Sequence, residues 1–457
     1  MNAHKATTAN LGALYPFVAE GGINSSSVLI GRDLIGGGHF AYNPFKLYNQ
    51  QILTNPNMVV IGQIGKGKSA FIKTYLWRLF AFGTRFLVLD PKGEYTALAK
   101  ACGSEPLKLA PGGCIRLNPL EMSETQRTNP NSSPALHLLY ALASSALSRE
   151  LSPLERAVLE ASFYSAWAKT SSGHVRSVTL NHIVETVLSP PLQIAKDLRC
   201  GLTELRDASR DMALELRRLV QGDLKGMFDG ATTKGISLDA QAVVLDLSAL
   251  YSSQSLGLMM VCAVAWFQSR LSMLNTNQVV DTGFEQKLHE VDRYTPDERG
   301  VPQLHVSTNL VMVLDEAWAL LSDLQIARWL RASWKLSRAY GVANVAVVHR
   351  LSDLQSVGAV GSEQVGIAQG LLSDSETHVV YGQANNELET VGELLGLSGL
   401  ETRLVGKLKR ARALWKIGER SFLVEHVLSS YEKSFIDTDK RMREEKDAES
   451  GWNARVF

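Results

Sequence analysis

The stretch "VVIGQIGKGKSAF", residues 59–71, passes from an apolar run into a turn rich in glycine and lysine and then resumes with helical spacing. Gly62, Gly67, Lys68 and Ser69 match the pattern G-x-x-x-x-G-K-[ST] without a mismatch. Glycine lets the backbone curl so that its amides converge on phosphate groups, and the start of the following helix adds its positive dipole end. The stretch therefore predicts a phosphate-binding loop between a strand and a helix.

Each residue of this loop has an expected contact. The Lys68 ammonium is expected to reach the terminal phosphates of ATP, and the Ser69 hydroxyl to ligate Mg²⁺. ATP and Mg²⁺ are thus the predicted cofactors. The nucleotide-binding residues are predicted to be Gly62, Gln63, Ile64, Gly65, Lys66, Gly67, Lys68, Ser69 and Ala70.

An acidic pair closes a second apolar run, "LVMVLDEAW" at 310–318. The apolar residues deliver Asp315 and Glu316 to the carboxyl end of a predicted strand, where ligands bind in open α/β sheets. Asp315 is expected to serve the magnesium ion together with Ser69, and Glu316 to orient and deprotonate the attacking water. Combined with the phosphate loop, the pair predicts a hydrolase and not merely a nucleotide-binding switch.

Composition describes an ordinary globular protein. Of 457 residues, 45% are hydrophobic and 20% charged, and 47 basic residues face 46 acidic ones. This near-neutral charge gives no global attraction to DNA or an anionic membrane, so any DNA contact would have to be a local patch. The four cysteines, at 102, 114, 200 and 262, lack paired spacing. They predict buried thiols in a reducing compartment, not a disulfide framework or a zinc site.

No membrane-targeting signal is visible in the sequence. The N-terminus has no charged start followed by a long apolar stretch, so no signal peptide is predicted. The most apolar segment, "GLMMVCAVAWF" at 257–267, is shorter than the roughly 20 residues that a bilayer core requires. It predicts a buried helix. The chain is expected to be cytoplasmic, with membrane attachment only through a partner.

Apolar and polar segments divide the chain into five parts. Residues 1–57 carry two strand-like runs around three glycines, which predicts an N-terminal β-hairpin. Strand and helix patterns alternate over 58–124 and again over 226–435, as in a parallel sheet covered by helices. Residues 125–225 predict an inserted helical subdomain, with helices near 134–148, 153–168, 178–189 and 202–221; in the last, Leu205, Met212, Leu216 and Leu219 recur at helical spacing. The tail, 436–457, alternates charge signs and predicts a solvated or frayed helix.

Six motifs occur in an order that resembles a known family. They are "GQIGKGKS", "VLDPKGEY" at 88–95, "RLNPL" at 116–120, "MFDGAT" at 227–232, "VMVLDEAWALL" and "GERSFLVEHVLSSYEKSF". Over about residues 25–435 the chain resembles the TraC-like (VirB-type) ATPases of conjugative type IV secretion systems, in the FtsK–HerA superfamily of RecA-like P-loop motors. The expected fold is accordingly α/β: a RecA-like P-loop NTPase core, a mostly parallel sheet with helices on both faces, with the helical insertion and the hairpin added.

This resemblance implies further properties. It implies a homo-hexamer at the cytoplasmic face of a secretion channel, in contact with channel or inner-membrane components, that powers pilus assembly or substrate transfer. It also implies that Asp90 and Glu94 of "DPKGEY" lie beside the phosphates, although Glu94 could instead be a helix N-terminal charge. Where the superfamily usually has a glutamine that senses the γ-phosphate, this chain has His349, which is either the sensor or an interior histidine.

A basic stripe follows the acidic pair. Residues 323–340 predict a helix with four cations at helical spacing: Arg328, Arg331, Lys335 and Arg338. One interpretation is that Arg338 reaches a neighbouring subunit's nucleotide as an arginine finger. The others are a solvated face and a surface that grips DNA phosphates. The tryptophans of this region, Trp318, Trp329 and Trp334, are expected to be packing residues.

Two other functions compete with the secretion motor. One is a DNA-translocating ATPase of the same superfamily, a coupling protein or a HerA-like helicase. The other is a nucleotide-dependent scaffold without turnover, against which the intact Lys68, Ser69, Asp315 and Glu316 argue.

Overall fold

The apolar runs of the sequence form the strands of a single sheet in the computed structural model, which describes residues 23, 27–121, 134–171, 177–222, 224–236, 240–251, 255–279, 309–336, 340–350 and 362–436. The strands are β1 (Val28–Asp33), β2 (His39–Tyr42), β3 (Met58–Ile61), β4 (Arg85–Asp90), β5 (Leu107–Lys108), β6 (Ala242–Asp246), β7 (Leu310–Leu314), β8 (Val342–Val348), β9 (Thr377–Tyr381), β10 (Arg412–Ile417) and β11 (Arg420–His426).

The sheet has a parallel part and an antiparallel part. Its order is β2-β1-β11-β10-β9-β3-β8-β7-β4-β6-β5. From β9 to β5 every pairing is parallel, whereas β10, β11, β1 and β2 pair antiparallel. The carboxyl ends of β3, β8, β7 and β4 therefore share one edge, which is where a ligand site forms in such sheets. The predicted hairpin exists as β1 and β2, and it extends the main sheet because β1 pairs with β11.

Helices connect these strands. They are α1 (Pro44–Asn49), α2 (Lys68–Ala81), α3 (Thr96–Ala101), α4 (Pro134–Leu147), α5 (Pro153–Ser171), α6 (Leu180–Leu188), α7 (Leu192–Asp197), α8 (Leu202–Gln221), α9 (Leu256–Val279), α10 (Trp318–Leu321), α11 (Leu324–Leu336), α12 (Glu363–Ser373), α13 (Leu388–Leu394), α14 (Gly399–Gly406) and α15 (Ser430–Ile436).

Helices cover both faces of the sheet. In β3, Val59 and Ile61 belong to one hydrophobic core, while Met58 and Val60 belong to the other, because side chains alternate along a strand. The first core includes the helical insertion and α9 to α12. The second includes α1, α2, α3 and α15. The predicted α/β class, with helices on both faces of a mostly parallel sheet, is confirmed.

The inserted helices pack chiefly on one another. α8 contacts α4, α5, α6 and α7 along its length, and its predicted apolar positions are buried, namely Leu205, Met212, Leu216 and Leu219. α7 was not foreseen from the sequence. The apolar segment 257–267 lies within α9 and is largely buried, as predicted. Among the described helices, none combines the length and hydropathy needed to cross a bilayer.

Three expectations need adjustment. The helix predicted over 323–340 is described only as α11, Leu324–Leu336, and Arg338 lies outside the described residues. The predicted tail helix beyond 436 lies outside them too. The cysteines are free thiols, but the expectation that all are buried is wrong: Cys262 is buried, whereas Cys114 is exposed in the segment after β5.

Candidate functional site: a phosphate loop facing an acidic pair

The loop between β3 and α2 has the backbone shape that its glycines permit. A side chain at Gly62 would place its Cβ 2.4 Å from the Cβ of Tyr381 on β9, so only glycine fits there. Gly67 has φ of 111°, which L-residues rarely adopt, and the helix begins at the next residue, Lys68. The predicted strand–loop–helix unit is therefore present, with its amides at the carboxyl edge of the sheet.

Neighbouring segments hold this loop in place. The Gln63 amide donates to the Gly382 carbonyl at 3.2 Å, and the Ala411 amide donates to the Lys66 carbonyl at 2.9 Å. These bonds tie the loop to the segment after β9 and to the turn before β10. The tip stays accessible, since the side chain of Ile64 is 75% exposed.

Lys68 is buried inside the loop that it serves. Its Nζ donates to the Gly62 carbonyl and to the Gln63 carbonyl, the latter at 3.2 Å. Burial lowers the pKa of Lys68 to about 8, and the nearby carboxylates of Asp315 and Glu316 oppose that shift. The lysine thus lies within electrostatic range of the acidic pair. Among the described residues its only hydrogen-bond partners are backbone carbonyls, and a phosphate oxygen can replace these acceptors.

The acidic pair lies at the same edge of the sheet. β8 is the strand between β3 and β7, so the phosphate loop and Asp315 are two strand spacings, or about 10 Å, apart. Asp315 is buried, and burial together with the neighbouring Glu316 raises its pKa to about 7. Because ionisation of this buried carboxylate is costly, a nearby cation would stabilise its charged form. Asp315 is therefore suited to bind a cation or a water molecule that the cation holds. The expected convergence of the two motifs is observed.

Glu316 is held by three donors. His349 Nε2 lies 2.7 Å from its Oε1, Lys92 Nζ contacts the same oxygen, and Trp318 Nε1 donates to Oε2. Burial alone would raise the pKa of Glu316, but the hydrogen bonds from His349 and Lys92 outweigh it and hold the pKa at about 2. The residue also has φ of 55°, a left-handed conformation that costs roughly 1–3 kcal/mol outside glycine.

His349 follows β8, the strand between the two motifs. That location is the one expected of a γ-phosphate sensor, and the hydrogen bond to Glu316 adds a link to the second motif. Its other ring nitrogen, Nδ1, is buried and has no hydrogen-bond partner among the described residues. His349 is therefore connected to the acidic pair, and its role as a γ-phosphate sensor stays a prediction.

Asp90 holds the turn that follows β4. It ends β4, which β7 and β8 separate from the phosphate-loop strand, and its carboxylate is fully buried. It accepts hydrogen bonds from the amides of Glu94 at 3.0 Å and Tyr95 at 2.8 Å. Its carboxylate therefore shapes the turn after β4, and its place beside the phosphates stays a prediction.

Glu94 remains a candidate for both of its predicted roles. Its carboxylate lies 3.9 Å from Nζ of Lys73, a fully buried lysine on α2, and it acts electrostatically on Lys68 and Asp315. It also precedes α3, where a negative charge stabilises a helix N-terminus.

The basic stripe on α11 is engaged within the chain. Arg328 makes a bidentate ion pair with Glu363 and a second contact, 2.9 Å, with Glu150. Lys335 lies 3.9 Å from Asp374. These cations link α11 to α12 and to the helical insertion, so Arg328 and Lys335 each have an acidic partner within the chain. The tryptophans Trp334 and Trp329 are buried and partly buried, as packing residues are.

Two motifs of the family join the helical insertion to the core. The guanidinium of Arg116, in "RLNPL", donates to Asp229, in "MFDGAT", at 3.0 Å. The amide of Asn118 and the side chain of Glu121 both bond to the Thr232 hydroxyl. Since these segments precede and follow the insertion, the motifs close its base.

Two residues at the site were missed in the sequence. Lys92 lies inside the quoted "DPKGEY", and its position between two candidate carboxylates was the available signal. Trp318 was interpreted as packing only, yet it packs on the core and also donates to Glu316. No sequence signal distinguishes an indole that packs from one that also donates.

A magnesium site fits the residues present. Ser69 occupies the second position of α2, and Asp315 is buried on the facing strand end. Across the described part of the chain, no group of three or more His, Cys, Asp or Glu side chains could hold a metal ion without other ligands. Such a donor set suits an ion that brings waters and phosphate oxygens with it, as Mg²⁺ does.

Comparisons with known proteins agree with this geometry. A family model described as an AAA-like domain matches residues 47–253. The structure of VirB4 of Thermoanaerobacter pseudethanolicus superposes with a TM-score of 0.64 at 21% identity, covering 90% of this chain and 100% of that one. The bacterial conjugative coupling protein TrwB superposes with a TM-score of 0.51 at 14% identity, covering 82% and 85%. No curated protein matches the sequence.

The class that the fold defines is that of the P-loop NTPases: a mostly parallel sheet with helices on both faces and a phosphate loop after β3. More particularly, the chain has the fold of VirB4 and TrwB, and residues 47–253 match the model of an AAA-like domain. The fold expected from the six short motifs is confirmed.

Proposed function

We infer that this chain binds ATP with Mg²⁺ and hydrolyses it to drive a conjugative type IV secretion system. The observation that carries the inference is the convergence of the phosphate loop and the Asp315–Glu316 pair on one edge of the sheet, with Lys68 under the electrostatic influence of both carboxylates. A solved structure of TrwB contains ADP and Mg²⁺, which supports the same ligands here.

The residues have complementary roles in the reaction. The loop amides and Lys68 would hold the β- and γ-phosphates, and Ser69 and Asp315 would hold Mg²⁺ or its waters. Mg²⁺ supplies charge neutralisation at the phosphate oxygens. Glu316 would take a proton from the attacking water as the new P–O bond forms and the bridging P–O bond to the β-phosphate breaks. His349, which lies within hydrogen-bond distance of Glu316, would contact the γ-phosphate and so couple its presence to the position of this base.

The motor assignment rests on the likeness to VirB4. That match covers all of the VirB4 chain, and it is accompanied by the six motifs in their expected order. We propose a homo-hexamer at the cytoplasmic face of the inner membrane, attached through channel components, that powers pilus assembly or substrate transfer.

The alternative is a DNA-translocating ATPase of the same superfamily. The observation in its favour is the TrwB match, because TrwB is named as a coupling protein. Against it, Arg328 and Lys335 of the stripe pair with acidic residues of the chain, and the near-neutral total charge gives no global attraction to DNA.

One assay separates these possibilities. ATP hydrolysis is measured in purified protein with and without single- and double-stranded DNA, together with the mass of the assembly in each nucleotide state. A secretion motor is expected to turn over ATP without a need for DNA. Stimulation by DNA of about tenfold or more would favour the translocase, and absence of any ATP hydrolysis in the assembled protein would remove the motor assignment.

A further inference from the structure

Lys92 is a cation at the site that does not belong to the phosphate loop. It lies in the turn after β4, which Asp90 shapes, and its side chain crosses the end of β7 to reach Glu316. Its Nζ is also 3.1 Å from Nε2 of His349, at the end of β8. Lys92 thus approaches the centre of the site from the side opposite to Lys68.

The two lysines flank the carboxylate pair. Lys68 comes from the β3 side and is held by backbone carbonyls, whereas Lys92 comes from the β4 side and is held by Glu316. Each lysine lies within electrostatic range of the other and of Asp315. Two cations kept this close are costly unless anions compensate for them, and a triphosphate carries more negative charge than the one carboxylate that now holds Lys92.

Glu316 cannot serve as a general base in the conformation that it has here. It is 1% exposed, two donors occupy Oε1 and a third occupies Oε2, so little of its acceptor capacity is left for a water. A base must also lie within hydrogen-bond distance of the proton that it takes. The donor that can leave is Lys92, because its side chain is long, flexible and 25% exposed.

Orientation of Glu316 does not require Lys92. His349 and Trp318 hold one carboxylate oxygen each, which fixes the plane of the group. A third donor that carries a full charge makes the carboxylate a weaker acceptor and a weaker base. A permanent contact between Lys92 and Glu316 would therefore oppose catalysis. A contact that breaks when ATP binds would restrict hydrolysis to the ATP-bound state.

We propose that Lys92 is a positioning residue that exchanges partners, leaving Glu316 for the γ-phosphate when ATP binds and thereby freeing the carboxylate to receive the attacking water. This inference rests on the proposed ATPase function and names the element that makes the site respond to ATP and not to ADP. ADP lacks the γ-phosphate, so it leaves Lys92 on Glu316.

The test is a cycle of four proteins: the unaltered chain, Lys92→Met, Glu316→Gln and the double variant. Dissociation constants for ADP and for a non-hydrolysable ATP analogue, each with Mg²⁺, are measured by calorimetry. In the Glu316→Gln background there is no ion pair to break. Lys92→Met is therefore expected to lower the affinity for the ATP analogue about tenfold there, which is the effect of losing one charge-assisted hydrogen bond. In the unaltered background the loss is expected to be several times smaller, and ADP affinity is expected to change little in either.

Three results would overturn the exchange. Equal losses in the two backgrounds would mean that the ion pair persists with ATP bound. If Lys92→Met lowered the affinities for the ATP analogue and for ADP equally, Lys92 would be a general phosphate contact. If it lowered neither affinity, the role of Lys92 would be structural. Lys92→Arg, which keeps the charge, is expected to retain the ATP preference, and Lys100→Met, an exposed lysine on α3, serves as the surface control.

Failure of the proposed function looks different. If the unaltered chain binds neither ADP nor the ATP analogue, the ATPase assignment fails. If it binds both and hydrolyses ATP while the cycle shows no coupling, only the role of Lys92 is wrong.

Discussion

Nε2 of His349 lies 2.7 Å from Oε1 of Glu316, which joins the end of the strand beside the phosphate loop to the acidic pair on the next strand. The superfamily usually has a glutamine at the sensor position. An imidazole can donate one hydrogen bond from Nε2, as a glutamine amide can. The contact therefore links the end of β8 to the acidic pair, and the sensor role of His349 stays a prediction.

This link predicts the behaviour of two substitutions. His349→Ala removes the donor to Glu316 and is expected to lower kcat about tenfold or more, since a charge-assisted hydrogen bond is lost. His349→Gln restores a donor and is expected to recover most of the turnover. Steady-state ATPase kinetics measure both, and equal kcat in His349→Ala and the unaltered chain would return His349 to a structural role.

Lys68→Ala is expected to abolish ATP turnover. The variant removes the buried ammonium that sits between the loop carbonyls and the acidic pair, and loss of such an electrostatic contact costs about 100-fold or more. Phosphate release reports the turnover, and Lys100→Ala on α3 controls for the loss of a lysine as such. Turnover retained in full by Lys68→Ala would exclude the proposed site.

Glu316→Gln is expected to bind ATP and hydrolyse it at least about 100-fold more slowly, because a glutamine cannot accept the proton from water. Filter binding of labelled ATP and single-turnover chemistry separate the two effects. The amide is similar in shape: its oxygen can accept the hydrogen bond from Trp318, and its NH2 group can donate to Nε2 of His349 in the other tautomer, so the fold is expected to be retained. Rapid hydrolysis by this variant would reassign the base.

The arginine-finger interpretation is tested on Arg338, with Arg328 of the same basic stripe as the matched control. Arg338 lies outside the described residues, and its role stays a prediction from the sequence. Arg338→Ala is expected to lower turnover about 1,000-fold with nearly unchanged ATP affinity if it acts on a neighbouring subunit's nucleotide. Arg328, paired with Glu363 and Glu150, is expected to tolerate the same change with unaltered turnover. Equal kinetics of the two variants would reject the finger.

His426 predicts a pH dependence of stability. It ends β11, where its Nε2 lies 2.7 Å from the Thr74 hydroxyl of α2, and burial, followed by the repulsion of Arg78, lowers its pKa to about 4. The unfolded chain takes up this proton near pH 6.5, so between about pH 6.5 and 4 the folded state binds fewer protons. Its contribution to stability is therefore lost as pH falls through that window, by up to about 3 kcal/mol.

Chemical denaturation at pH 7 and pH 4.5 checks this prediction in the unaltered chain and in His426→Gln. The variant is expected to lose less stability on acidification, because glutamine has no proton to gain. Identical losses in the two proteins would show that other groups cause the acid sensitivity.

The sequence by itself determined the local units of this protein. The phosphate loop, the strand that ends in Asp315 and Glu316, and the longer helices of the insertion were predictable, because each depends on residue spacing over a short stretch of chain, whereas the short helix α7 was missed. Glycine at 62 and 67, together with an acidic pair after an apolar run, is typical of one kind of nucleotide site on a parallel sheet, so the fold class followed as well.

Only the tertiary structure decided which partners these residues have. Lys92, Trp318 and His349 come from three separate segments and meet at Glu316 because β4, β7 and β8 are neighbours in the sheet. The same packing paired Arg328 with acidic residues of α12 and the insertion. Contacts between distant segments depend on strand order and side-chain reach, and neither is encoded in the spacing of one motif.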